Sequence, residues 1–137
     1  MSGFEFIEHT ADVGIIARGR DLKEAFANAA LGMFSFIADL DTVQERESLI
    51  VEVTAADRES LLVEWLNELN FIFETRMFIF KRFEIEEIED SHLRARGIGE
   101  PVDRQRHRIK SSVKGATYHM LRIGHNSEWH ARVILDI

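Results

Sequence analysis

The chain has no cysteine and a single proline in 137 residues. Without cysteine there is no disulfide, no thiolate metal site and no thiol nucleophile, and an intracellular compartment is permitted but not required. One proline and 8 glycines leave little material for a long disordered linker. No apolar run approaches the roughly 18 residues of a membrane-spanning helix. The start, Met1-Ser2-Gly3-Phe4-Glu5, carries neither a basic n-region nor an apolar h-region, so no signal peptide is expected. Internal repeats and low-complexity segments are absent. Positive charge is in short supply: 17 Lys and Arg face 24 Asp and Glu, a net charge of −7. That balance argues against a broad nucleic-acid-binding face, though it permits a local basic patch.

What is present is ordinary for a globular protein, with 45% hydrophobic and 30% charged residues. The length suits one domain, residues 1–137, with a proper core. Alternation predicts short strands over Phe4–Glu8 and Val13–Arg18. Asp21 with Glu24 has the spacing of a capping box. Beyond it Leu22, Ala25, Phe26, Ala29, Ala30, Met33, Phe34 and Ile37 recur at steps of three and four, one apolar helical stripe. A strand follows over Leu49–Val53. Asp57 opens a second helix whose apolar face is Leu61, Leu62, Trp65, Leu66, Leu69, Ile72 and Phe73, with Arg58, Glu64, Asn67 and Glu68 lying mostly away from it.

Met77–Glu87 favours a strand in which Phe78 and Phe80 share one parity and Phe83 and Ile85 the other. A bulge or twist is therefore expected at Lys81-Arg82. Return strands are predicted over Leu93–Gly97, Ala116–Ile123 and Trp129–Asp136. The order β-β-α-β-α-β-β-β-β implies an α+β fold, a mixed, mainly antiparallel sheet with two amphipathic helices packed on one face.

Polar residues stand out at four places. His9-Thr10-Ala11-Asp12-Val13-Gly14 joins the first two strands. Asp136 ends the last strand beside Ile137. If Asp12 meets Asp136 and the Ile137 α-carboxylate, three oxygen donors converge, a set suited to Ca²⁺, Mg²⁺ or Mn²⁺. Lys114 precedes Gly115 at a strand start, where a lysine can reach a phosphate or a carboxylate. Arg104, Arg106, Arg108 and Lys110 recur at every second residue; if extended, they project to one side. The bland reading of that run is a solvated, charge-protected loop, and the functional one is an arm contacting phosphate or a partner. His125 and His130 carry no metal-ligating spacing and read as surface residues.

Taken together, His9 through Gly14, the helix Ala25-Phe26-Ala27-Asn28-Ala29-Ala30 with Met33-Phe34, Trp65-Leu66-Asn67, Gly99-Glu100, Val113 through His119 and the closing Leu135-Asp136-Ile137 resemble the archease family over essentially the whole chain. The resemblance implies a small cytoplasmic accessory protein that promotes guanylylation and repeated turnover of an RtcB-type tRNA-splicing ligase, without catalysis of its own. It also implies a divalent metal, taken to be Ca²⁺ (Mg²⁺ or Mn²⁺ being possible), on Asp12, Asp136 and Ile137, and a functionally required lysine at Lys114. His107 matches a family histidine. His9 and His107 are grouped with Lys114 as partner or nucleotide contacts, His9 and Thr10 in the lesser role of fixing the turn that orients Asp12. Nucleotide contact is expected only within the ligase complex. Two other readings stand beside this one: a metal-dependent phosphohydrolase, and a chaperone or RNA-binding adaptor using Arg104–Lys110.

Overall fold

A computed structural model describes residues 3–9 and 12–137, with the backbone alone described for Glu8 and His9. The element order is β1 (Gly3–His9), β2 (Asp12–Gly19), α1 (Leu22–Ile37), β3 (Glu47–Thr54), α2 (Arg58–Arg76), β4 (Phe78–Ile88), β5 (His92–Pro101), β6 (Gly115–His125) and β7 (Trp129–Asp136), with a 3₁₀ turn at Leu40–Thr42. The order of strands and helices is the one that periodicity predicts.

The fold is α+β, as expected, with the strands divided between two sheets, β1-β2-β7-β6 and β3-β5-β4. Every strand pair is antiparallel. Both helices contact both sheets, α1 lying against β2 and β4 and α2 against β6 and β3. Alternation reports which face of a strand is buried but not its neighbours, so the split was invisible to it.

Local chemistry accounts for the boundaries. The Asp21 carboxylate accepts from the Glu24 amide at 2.8 Å, and Glu24 accepts in turn from the Arg20 amide at 2.8 Å. Asp57 caps α2 in the same way through the Ser60 amide at 2.8 Å. These bonds satisfy amides that a helix start otherwise leaves orphaned. At the far end of α1, the Lys110 and Ser111 amides donate to the Ile37 carbonyl and the Asp39 amide donates to Arg108, so a distant loop serves as the C-cap.

The core lies where the helical stripes meet the inner sheet faces. Phe34 sits among Phe73, Phe80 and Phe83, with ring centroids 5.4–6.0 Å away. Trp65 packs edge-on to Phe83 at 5.7 Å, and its indole N–H donates to the Phe26 carbonyl at 3.0 Å, tying α2 to α1. The predicted break at Lys81-Arg82 is present as a register shift between Phe80 and Arg82. It lets both apolar pairs of β4, Phe78 with Phe80 and Phe83 with Ile85, face the core side.

At Gly99 of β5, an added Cβ would run into the Ile79 carbonyl of β4, and neither backbone can yield without breaking the ladder. A Gly99→Ala protein should lose about 1–3 kcal/mol of stability, read as a lowered midpoint in urea denaturation. An unchanged midpoint would show that the two strands separate freely there.

Candidate functional site

Strand register assembles the site. In the sheet β1-β2-β7-β6, His9 pairs with Asp12, Asp12 with Asp136, and Asp136 with Gly115. The four positions form one row across the end of the sheet. Ile15, Ala17, Val133 and Leu135 are fully buried on the core side, so alternation directs Asp12 and Asp136 to the opposite, outer face. Directly opposed residues of an antiparallel pair have Cβ atoms about 4.5–5.5 Å apart, and like charges there repel. Asp12 is half-buried, while Asp136 and Ile137 are exposed. The two acids expected to converge are therefore cross-strand partners. The His9 and Thr10 side chains lie outside the described residues.

The β6 side of the row is clamped from α2. Asn67 Oδ1 accepts from the Ala116 amide at 2.7 Å, and Asn70 Nδ2 donates to the Val113 carbonyl at 2.8 Å. Between these two anchors, the Lys114 amide donates to the Asp136 carbonyl at 2.7 Å. Lys114 is thus held by its backbone next to Asp136, with its side chain exposed. The sequence reading set Asn67 away from the apolar face and left Asn70 out. The available signal was two amides one helical turn apart on a face otherwise built for burial.

Past Thr117, β6 departs from regular pairing. Thr117 opposes Ile134, yet the next paired residue is Arg122, opposite Arg132. The intervening residues bulge, with Met120 at φ 55°. Tyr118 and Met120 stand 59% and 46% exposed there. The simple alternation expected of Tyr118 and His119 thus has no regular ladder to rest on.

The basic segment is not an extended arm. Residues 104–107 form a tight turn, pinned by Glu100, which is 1% exposed. Arg106 meets the Glu100 carboxylate in bidentate fashion at 2.7 and 2.8 Å, His107 Nε2 lies 2.8 Å from it, and the Gln44 amide donates to it at 2.7 Å. The Asp103 amide donates to His107 Nδ1 at 2.9 Å, which places the ring proton on Nε2, facing Glu100. Arg106 first, with His107 and Gln44 behind it, outweighs burial and holds the Glu100 carboxyl far below the ordinary carboxylate range. The alternating spacing of four cations therefore does not survive folding. The side chain of His107 is 0% exposed, so in this conformation it organises the loop instead of presenting a contact.

Among the described residues, no three His, Cys, Asp or Glu side chains cluster as a metal cage. The row offers the two side-chain carboxylates of Asp12 and Asp136, both hard oxygen donors. Opposed carboxylates and this donor chemistry fit a hard divalent cation. No helix among the described residues is long and apolar enough to cross a membrane.

Known proteins resemble this chain over its full length. The protein archease of Methanothermobacter thermautotrophicus is 43% identical over 141 residues, with 100% of both chains covered. The solution structure of a Methanobacterium thermoautotrophicum protein superposes with a TM-score of 0.80 at 42% identity, again covering 100% of both chains. A crystal structure from Thermotoga maritima, described as an archease and possible chaperone, shares the fold with a TM-score of 0.66 at 16% identity, over 96% of this chain and 94% of that one. The family profile of archease proteins spans residues 4–137, a range that takes in the Asp12–Asp136 pair and the clamped Lys114. With sequence relatives, fold and extent in agreement, the chain belongs to the archease protein family.

Proposed function

We propose that this protein activates an RtcB-type tRNA-splicing ligase by promoting its guanylylation, and has no catalysis of its own. The observation that supports this reading is the row at the sheet end, where Asp12 opposes Asp136 and Lys114 is bonded through its amide to the same Asp136. Ca²⁺ takes about 6–8 oxygen ligands. Asp12, Asp136 and the Ile137 carboxylate would leave several positions for water or for groups of a partner. An exposed, incomplete site suits a protein that offers its ion to another molecule. When bound, a divalent cation there would neutralise charge on phosphate oxygens.

The chain's own residues divide the remaining work. Asn67 and Asn70 fix residues 113–116, and Lys114 contacts a nucleotide phosphate or a carboxylate of the ligase. The exposed bulge bearing Tyr118 and Met120 docks against the partner. Guanylylation itself belongs to the ligase: its nucleophile attacks the α-phosphorus of GTP and pyrophosphate leaves. Charge placed at the phosphates is where an accessory protein can assist.

Single-turnover guanylylation of an archaeal ligase tests this. Asp12→Asn and Asp136→Asn should each cut the stimulated rate by about tenfold or more, a loss near 1.4 kcal/mol of transition-state stabilisation. Wild-type stimulation by both variants would sink the proposal. A short peptide appended after Ile137 removes the terminal carboxylate from the ligand set and should also abolish stimulation. Full activity in the extended protein would remove Ile137 from that set.

A further inference from the structure

The outer face of the sheet β1-β2-β7-β6 carries a second feature, at the opposite end from the carboxylate row. Arg132 lies four residues before Asp136 on β7, about 13 Å along the strand. Around it is a recess of about 370 Å³ lined by Ile16, Arg18, Arg122, His130, Arg132 and the turn residues Asn126, Ser127 and Glu128. Three guanidinium groups and an imidazole meet there with a single carboxylate, in a chain whose net charge is −7.

Among the described residues, only one of the three guanidinium groups is paired with a carboxylate. Arg18 is taken up by Glu5 at 3.2 Å and Glu128 at 3.8 Å. Arg122 and Arg132 are direct cross-strand partners, so two like charges face one another on one side of the sheet, an arrangement that opposes folding. Among the described residues no carboxylate pairs with either. The Nε of Arg132 is buried without a hydrogen-bond partner, and its Nη2 reaches only the sulfur of Met120, at 3.9 Å. An orphaned, buried guanidinium donor is costly unless something supplies an acceptor. His130 is held in place over Gly124: a Cβ there would stand 2.7 Å from its Nε2, and only a glycine leaves the ring that room.

We infer that this recess binds a phosphate group, carried by a nucleotide or by the RNA backbone. Arginine forks offer paired donors that match phosphate oxygens, and an oxyanion between Arg122 and Arg132 removes both their repulsion and the unmet donor. Asn126 and Ser127 add neutral donors at the rim. The inference stands on the recess and goes beyond the ligase reading, since binding here requires no ligase and no metal.

Calorimetric titration of the full chain at low salt tests it, using sodium pyrophosphate, GTP and single-stranded oligouridylate as probes. Arg122→Glu should weaken binding by about tenfold or more, the loss expected when a charge-assisted bond is removed. Arg122→Lys should retain most of it, and Arg104→Glu, on the distant loop, should leave it unchanged. Amide resonances of residues 122–132 should move on titration ahead of those at residues 12 and 136. Binding of the oligonucleotide far above that of GTP, with a steep salt dependence, assigns the phosphate to RNA; comparable binding of GTP and pyrophosphate assigns it to a free nucleotide. The inference is overturned if none of the three probes binds, or if Arg122→Glu binds as wild type does, since that substitution lies on an exposed strand position and folding can be checked independently by circular dichroism.

Discussion

A Glu100→Ala protein is expected to unfold about 3 kcal/mol more readily than wild type at neutral pH, the scale for removing one partner of a buried ion pair. Glu100 gathers Arg106, His107 and the Gln44 amide within 2.7–2.8 Å, and Arg46 lies at 3.9 Å. Its loss leaves His107 buried with its Nε2 proton unpaired. The pH dependence follows from the same contacts. The folded carboxyl titrates far below its ordinary range, whereas in the unfolded chain a glutamate titrates near about 4.3. A depressed folded pKa contributes stability that is fully present above the unfolded value and is lost as pH falls beneath it. Urea denaturation at pH 7 and at pH 3 should therefore show the gap between wild type and Glu100→Ala narrowing in acid. A gap that stays constant would mean that the ion pair contributes nothing and that Glu100 serves only to fill space.

Trp65→Ala should be at least as damaging, at about 3–5 kcal/mol. The side chain is fully buried, packs on Phe83 and donates to the Phe26 carbonyl of α1. The loss thus combines a large cavity with a broken tie between the two helices. Trp65→Phe keeps most of the volume and gives up the hydrogen bond, and should cost about 1–2 kcal/mol. Thermal unfolding separates the two, since about 1 kcal/mol shifts the midpoint of a domain this size by a few degrees. Equal midpoints for the two variants would show that cavity volume plays no part. The position also bears on the site, because Asn67 and Asn70, two and five residues further along α2, hold the Lys114 segment. A helix loosened at Trp65 should loosen that clamp as well.

Much of this molecule is legible in a single chain. Steps of three and four mark α1 and α2, because only one face of each helix is buried. The parity change between Phe80 and Phe83 announces a bulge, because a strand with period two can show aromatics of both parities to one core only by gaining a residue. Asp12 and Asp136 were visible as acids at strand ends, and the motifs spread from His9 to Ile137 marked the family.

What the tertiary structure alone decided is pairing. Which strands are neighbours, and hence that there are two antiparallel sheets, depends on contacts between segments far apart in the chain. The same holds for the clamp of Asn67 and Asn70 on residues 113–116, and for the turn that Glu100 imposes on Arg104 through His107. Arg122 and Arg132 are ten residues apart and unremarkable in sequence; the bulge at Met120 and the register of β6 on β7 set them face to face. Local periodicity follows from the chemistry of neighbouring residues and can be read one segment at a time. Register is a property of two segments at once, and at the row of Asp12, Asp136 and Gly115 it is register that turns scattered residues into a site.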